Sequence, residues 1–194
     1  MNNPDRTIRS IAPRRAARAL GAAAFIAGVL GTIGLTASAA STQAIDQRGA
    51  AAPCAISTLD VWLNTTGNGT AGSIYYVLEF TNLSAHVCTL TGFPGVSAIN
   101  LGGGQLGKAA SRNPQRASRT VRLAPGGTAN ATLQIVEAGN FSPSACHLTT
   151  AAGLRVYAPG ATVARTVPFP FSACTLSGPA ILTVAAVAAG IGGQ

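Results

Sequence analysis

Residues 72–95 read GSIYYVLEFTNLSAHVCTLTGFPG, and this stretch decides the fold. The first part alternates between two faces with a period of two, which is typical of a half-buried β-strand. One face carries Ile74, Tyr76, Leu78 and Phe80, and the other carries Tyr75, Val77, Glu79 and Thr81. Cys88 follows the strand, and Gly92-Phe93-Pro94-Gly95 indicates a tight turn. The stretch therefore predicts a central strand, a cystine and a corner.

Alternating apolar segments recur on both sides of the central strand. They occupy residues 58–63, 96–101, 119–123, 128–135, 154–158, 162–167 and 181–187. Segments 119–123 and 128–135 flank Pro125-Gly126-Gly127 and are expected to form a hairpin, whereas residues 105–118 are expected to be a long exposed loop. About eight short strands, regular turns and no convincing helix after residue 40 predict an all-β fold, an antiparallel two-sheet immunoglobulin-like sandwich.

Four cysteines divide into two predicted disulfides. An even number of cysteines behind an export signal is typical of bridges formed in an oxidising compartment. Residues 58–63 and the central strand are expected to pair antiparallel, which places the start of the first strand beside the end of the second. We therefore expect a bridge between Cys54 and Cys88, and the same hairpin argument pairs Cys146 with Cys174.

The first 39 residues have the three-part pattern of a secretory signal peptide. Residues 1–18 are basic, residues 19–37 carry no charge, and Ala37-Ser38-Ala39 offers a cleavage site. We expect a signal-peptide helix at 1–39, a flexible linker at 40–52, the β-sandwich domain at 53–188 and a tail at 189–194. The uncharged stretch is also long enough to span a bilayer. An uncleaved leader is therefore the alternative, and it is the only membrane attachment that the sequence predicts.

The formal net charge of +8 overstates the charge of the mature chain, because a run of arginines lies in the leader. From residue 40 onward, eight basic and four acidic residues give a net charge of about +4, which is ordinary for a soluble domain and predicts no nucleic-acid partner. One basic cluster contains no acid. It consists of Lys108, Arg112, Arg116, Arg119 and Arg122. This cluster is a candidate anion-binding loop for an envelope polymer or for lipid headgroups, and the alternative is a solvated loop.

A candidate recognition patch lies on the polar face of the first two strands. It consists of Asp60, Trp62, Tyr75 and Glu79. If the two strands pair, these acidic and aromatic side chains form one outward surface that can bind a sugar or a protein partner. The alternative is a set of ordinary cross-strand pairs, or a Trp buried in the second sheet.

The sequence predicts no catalytic residues, no metal site and no cofactor. Its Ser residues lack the G-x-S-x-G context, and His86 and His147 each lie beside a different predicted cystine without metal-ligand spacing. We therefore expect an exported, envelope-associated or extracellular recognition module that is monomeric, with an anionic envelope polymer or another envelope protein as its partner. The alternative is a cell-wall or carbohydrate-acting hydrolase that uses Asp60 or Glu79, and such an enzyme requires a cleft with two ionisable groups.

An ordered set of landmarks also resembles a known family. The landmarks are Cys54, Phe80-Thr81-Asn82, residues 88–96, residues 121–129, Cys146, Leu154-Arg155-Val156, Pro159-Gly160 and Cys174. Over residues 53–187 the chain is similar to the secreted domain-of-unknown-function family 4232 of actinobacteria. The resemblance implies an exported protein and a β domain without an assigned activity. This chain differs from the lipoprotein members because no Cys follows its apolar leader.

Overall fold

The structure, a computed structural model, describes residues 50–115 and 117–193. The expected signal peptide at 1–39, residues 40–49 of the expected linker, Arg116 and Gln194 lie outside the described residues. The described residues belong to one unit, Asp46–Gln194.

Twelve strands and three short helical turns make up the described part. The strands are β1 (Leu59–Thr70), β2 (Ser73–Asn82), β3 (Cys88–Thr91), β4 (Gly95–Ile99), β5 (Gln105–Leu106), β6 (Ser111–Asn113), β7 (Thr120–Leu123), β8 (Thr128–Val136), β9 (Leu148–Tyr157), β10 (Ala164–Cys174), β11 (Leu182–Ala185) and β12 (Ala188–Ala189). The helical turns are α1 (Pro143–Cys146) and the 3-10 turns Ile56–Thr58 and Ala138–Asn140. The prediction of a mostly β chain is confirmed for these residues, and none of their helices is long and apolar enough to cross a bilayer.

The strands form three sheets. The largest has the order β1-β2-β8-β11-β6, with β12 also paired to β8; the second has the order β10-β9-β4-β5; the third contains β3 and β7. Their pairings are antiparallel apart from that of β6 with β11. Buried side chains from all three sheets, including Leu78, Leu90 and Leu154, belong to a single hydrophobic cluster.

The central strand β2 lies between β1 and β8 in the largest sheet. Leu78 and Phe80 on its apolar face are 0% exposed, as the alternation predicts. Val77 and Glu79 on the opposite face are also buried, at 5% and 4% exposure. The strand is therefore covered on both faces over its middle, where the sequence predicts burial of one face only.

The β1–β2 hairpin is confirmed, with Leu59 opposite Asn82 and Thr70 opposite Ser73. The segment expected at 58–63 is longer in the structure, because β1 continues to Thr70 and a two-residue turn leads into β2. Gly72 in this turn has a φ of +79°, which glycine adopts at little cost. A register shift between Asn64 and Asn68 places the extra residues in a bulge.

Both predicted disulfides are present. Cys54 is bonded to Cys88 with a Cα–Cα distance of 4.8 Å, and Cys146 is bonded to Cys174 with a Cα–Cα distance of 4.6 Å. Leu148 lies opposite Cys174 in the β9–β10 pair, so the second bridge closes the open end of that hairpin. Two bridges are consistent with an extracytoplasmic protein.

The predicted hairpin of residues 119–123 with 128–135 is wrong. β7 pairs with β3, and β8 pairs with β2, β11 and β12. The reason is the turn between them, whose backbone bonds to the end of β2 instead of closing a hairpin. Asn82 N–H donates to Gly127 O at 2.9 Å, and Gly126 N–H donates to Asn82 O at 2.8 Å. The turn therefore moves the chain from the small sheet to the large one.

The predicted exposed loop at 105–118 contains two short strands. Leu106 of β5 is buried, and β6 pairs parallel with β11, so that Arg112 lies opposite Val184. Ala110 N–H donates to Val96 O at 2.8 Å. This segment therefore links the second sheet to the edge of the largest sheet, a long-range pairing that local polarity does not reveal.

Gly153 in β9 allows the close approach of β10, and we expect Gly153→Ala to lower the free energy of unfolding by about 2–3 kcal/mol. A Cβ at this position would overlap Val167 O and would lie 3.1 Å from Pro168 Cα. These atoms are backbone and cannot move aside as a side chain can. Urea titration measures the change. Gly69→Ala is the matched control, because the nearest atom to its Cβ, Ser73 O, is 3.9 Å away, and it should change the stability by less than about 0.5 kcal/mol.

Candidate functional site

The described members of the predicted basic cluster lie on three segments of the chain. Lys108 lies between β5 and β6, next to Gly107. A Cβ added at Gly107 would lie 3.0 Å from Cys174 O. Arg112 lies on β6, and Arg119 and Arg122 lie just before and within β7. Arg116 is outside the described residues. All four described members are solvent-exposed.

Arg112, Arg119 and Arg122 lie at or near the corner after β3, and we call them the basic face. The guanidinium carbon of Arg112 lies 5.6 Å from the ring centre of Phe93, within the range of a cation–π contact. Ser118 precedes Arg119, and its Oγ would lie 3.9 Å from a Cβ added at Gly92. Arg112 and Arg119 therefore lie at this corner, and Arg122 lies on β7 opposite Thr89, three residues before Gly92.

A groove with a volume of about 490 Å³ lies beside the basic face, between β7 and residues 186–189. Arg119, Thr120 and Arg122 line one side, and Ala186 and Val187 line the other. The corner holds the second side in place, because Val187 N–H donates to Gly92 O at 2.9 Å. The groove is thus an aliphatic channel with two arginines on its rim and no acid among its lining residues.

The described acids lie elsewhere in the fold. Asp60 and Glu79 belong to β1 and β2, and Glu137 follows β8, where its side chain accepts a hydrogen bond from Gly139 N–H at 3.2 Å. No described carboxylate therefore neutralises the rim of the groove.

The members of the predicted recognition patch lie on one sheet face, but they are not all neighbours. Trp62, which is 43% exposed, lies opposite Glu79, and Asp60 lies one row away opposite Thr81. Tyr75 is four residues from Glu79 along β2, which corresponds to about 13 Å. The structure therefore brings Trp62 and Glu79 together and leaves Tyr75 at a distance.

Residues 190–193 lie across this face. Asn130 Nδ2 donates to Gly190 O at 2.8 Å. Gly192 packs so closely that a Cβ would overlap Val77 Cγ1 and would lie 3.3 Å from Asn130 Cβ. This contact accounts for the burial of Val77 on the face that the sequence predicts to be exposed. The sequence signal for it was the run of glycines at 190, 192 and 193, which permits such an approach.

The carboxylates named for the hydrolase alternative do not line a cleft in the described part of the chain. Neither Asp60 nor Glu79 lines any of four surface cavities in the described part of the chain. Within residues 50–115 and 117–193, no three His, Cys, Asp or Glu side chains are grouped so that they could hold a metal ion. His86 and His147 lie near different disulfides, because His86 is two residues before Cys88 and His147 directly follows Cys146.

A family model described as "Domain of unknown function (DUF4232)" matches residues 54–188. The match begins at Cys54 and includes both disulfides and every strand from β1 to β11. No curated protein and no solved structure matches the chain.

Proposed function

Since the chain belongs to the family DUF4232, a domain of unknown function, we propose its role from its own surface. It is an exported recognition module that works at or outside the cell envelope, and its basic face binds an anionic envelope polymer. The observation that carries this proposal is that Arg112 and Arg119 lie at the corner after β3 and Arg122 lines the groove beside it, while the described acids lie on other segments.

Export is supported by the leader pattern at 1–39 and by the two disulfides, which form and persist in oxidising compartments. An immunoglobulin-like sandwich of the two larger sheets is part of the same proposal. It is supported by the cluster in which Phe80 and Leu133 of the largest sheet pack with Val96 and Val156 of the second sheet. No observation favours the hydrolase alternative, in which Asp60 or Glu79 would act.

Removing two positive charges from the basic face is the direct test. We expect the double variant Arg119→Ser/Arg122→Ser to bind long-chain inorganic polyphosphate at least tenfold more weakly at low salt, because two charges at the rim are lost. Fluorescence anisotropy over a series of salt concentrations measures both the affinity and its salt dependence. The salt dependence should become shallower in the variant, since fewer counterions are displaced when it binds.

The matched control removes the same charge from another sheet. Arg155 and Arg165 lie on β9 and β10 and donate to backbone carbonyl groups, at Gly103 and at Ile56 and Ser57 respectively. Arg155→Ser/Arg165→Ser should keep the affinity within about twofold. Equal weakening by both double variants would mean that net charge, and not the basic face, determines binding, and it would reject the proposed site.

A further inference from the structure

The backbone of β3 shows which groups of β7 are free. Thr89 N–H donates to Ala52 O and Cys54 N–H donates to Thr89 O, both at 2.9 Å. Both backbone groups of Thr89 therefore point away from β7. Because hydrogen-bonded and non-hydrogen-bonded pairs alternate in an antiparallel ladder, Thr89 and Arg122 form a non-hydrogen-bonded pair. The N–H and C=O groups of Arg122 consequently point away from β3, toward the outer edge of β7.

Thr120 has the same orientation, two residues earlier on β7. It lies opposite Thr91, and the two Oγ1 atoms are 2.9 Å apart, as expected for the closely spaced side chains of a non-hydrogen-bonded pair. Thr120 and Arg122 therefore present two N–H and two C=O groups along one exposed edge, with no partner among the described residues. Such an edge is a template for another strand.

The groove between β7 and residues 186–189 lies along this edge. Its opposite wall also offers backbone groups. Gly190 N–H donates to Thr128 O at 2.9 Å, so the preceding pair, Ala189 with Ala129, is non-hydrogen-bonded and the backbone groups of Ala189 point away from β8. The groove thus combines unpaired backbone, aliphatic walls and the two arginines of its rim.

We propose that β7 binds an extended segment of a partner protein as an added strand, and that this segment alternates acidic and aliphatic residues. Strand addition satisfies the four free groups of Thr120 and Arg122, whereas a polymer or a lipid would leave them unpaired. Aliphatic side chains of the segment fit the walls at Val121 and Val187, and acidic ones, on the opposite face of the segment, complement Arg122, which alternates with Val121 along β7. The inference goes beyond the proposed function, because it rests on the backbone edge as well as on charge.

The test uses an acetylated and amidated six-residue peptide of alternating Glu and Val, with binding measured by fluorescence anisotropy. We expect it to bind at least tenfold more tightly than the corresponding peptide of alternating Lys and Val. A version N-methylated at every second residue, in both registers, removes the backbone donors. In at least one register it should bind at least tenfold more weakly than the unmethylated peptide.

The protein variant Thr120→Pro removes one free donor of β7 while keeping the charge of the chain. The Thr120 N–H of the unmodified chain points away from β3, so its loss preserves the β3–β7 ladder. Pro is tolerated at such edge positions. We expect at least a tenfold loss of peptide binding and unchanged polyphosphate binding. Thr120→Val is the matched control, since it also loses the bond to Thr91 Oγ1 but keeps the N–H, and it should bind the peptide within twofold.

The proposal is overturned if both N-methylated registers bind as tightly as the parent peptide, an outcome that does not depend on any variant folding. It is also overturned if the Lys and Val peptide binds equally well, or if folded Thr120→Pro retains full affinity. Loss of polyphosphate binding in Arg119→Ser/Arg122→Ser belongs to the proposed function and is measured separately, so the two can fail independently.

Discussion

Replacing Asn82 by Ala is expected to lower the free energy of unfolding by about 3–5 kcal/mol. Asn82 is 0% exposed, and its side-chain amide joins the end of β2 to two other segments. Nδ2 lies 2.8 Å from His86 O, 3.2 Å from Leu123 O and 3.3 Å from Ala124 O. Oδ1 accepts from Ser84 N–H at 3.0 Å and from Ser84 Oγ at 2.7 Å. Ala would leave these groups without their partner, at about 1–3 kcal/mol for each buried group.

Urea unfolding followed by the fluorescence of the single Trp measures this loss. Asn140→Ala is the control, because the Asn140 amide is exposed and makes one long bond, 3.4 Å to Gly72 O, and its loss should cost less than about 0.5 kcal/mol. Asn82→Asp keeps the shape of the side chain but replaces the donor by a carboxylate oxygen facing carbonyl groups. It should be at least as destabilising as Asn82→Ala, and wild-type stability of this variant would show that donation by Nδ2 is unimportant.

The same residue explains why the partner of β7 could not be predicted. The segments 119–123 and 128–135 are neighbours in sequence and both alternate, so the local pattern favours a hairpin. The competing arrangement depends on Asn82, 41 residues before Leu123, whose backbone and side chain bind the turn. The β1–β2 and β9–β10 hairpins and both disulfides were predictable, because each depends on pairing between strands that follow one another.

The candidate site, like the strand pairing, was predictable from the sequence only in part. The arginines were visible as a run of positive charge, and the structure adds that Arg112 contacts Phe93, whereas the residue next to Lys108, Gly107, lies against Cys174. The groove was not visible, because its second wall comes from residues 186–189, which follow β7 by more than 60 positions. The burial of Glu79 was missed as well, since the alternation of β2 indicates which face is polar but not what lies over that face.

Removing the Cys54–Cys88 bridge is expected to have an effect similar in size to the loss of Asn82. The Cys54–Cys88 bridge joins residues separated by 34 positions in the sequence, and the Cys146–Cys174 bridge joins residues separated by 28. In the chain-entropy treatment each bridge stabilises the fold by roughly 3–4 kcal/mol. Each double Ala variant should therefore lose about this amount in urea unfolding, and the two losses should agree within about 1 kcal/mol.

The two bridges should differ in what they do to the binding surface. Cys88 lies opposite Leu123 at the end of the β3–β7 ladder, and Cys54 adjoins the segment that pairs with Thr89. The first bridge therefore holds the small sheet that carries Arg122, whereas the second holds the far end of the β9–β10 hairpin. Under conditions in which both double variants remain folded, Cys54→Ala/Cys88→Ala should bind polyphosphate at least fivefold more weakly, and Cys146→Ala/Cys174→Ala should bind it within twofold of the unmodified chain. If both variants bind polyphosphate within twofold of the unmodified chain, the small sheet keeps its geometry without the first bridge, and the hydrogen bonds of Asn82 to Leu123 O and Ala124 O are sufficient to hold β7.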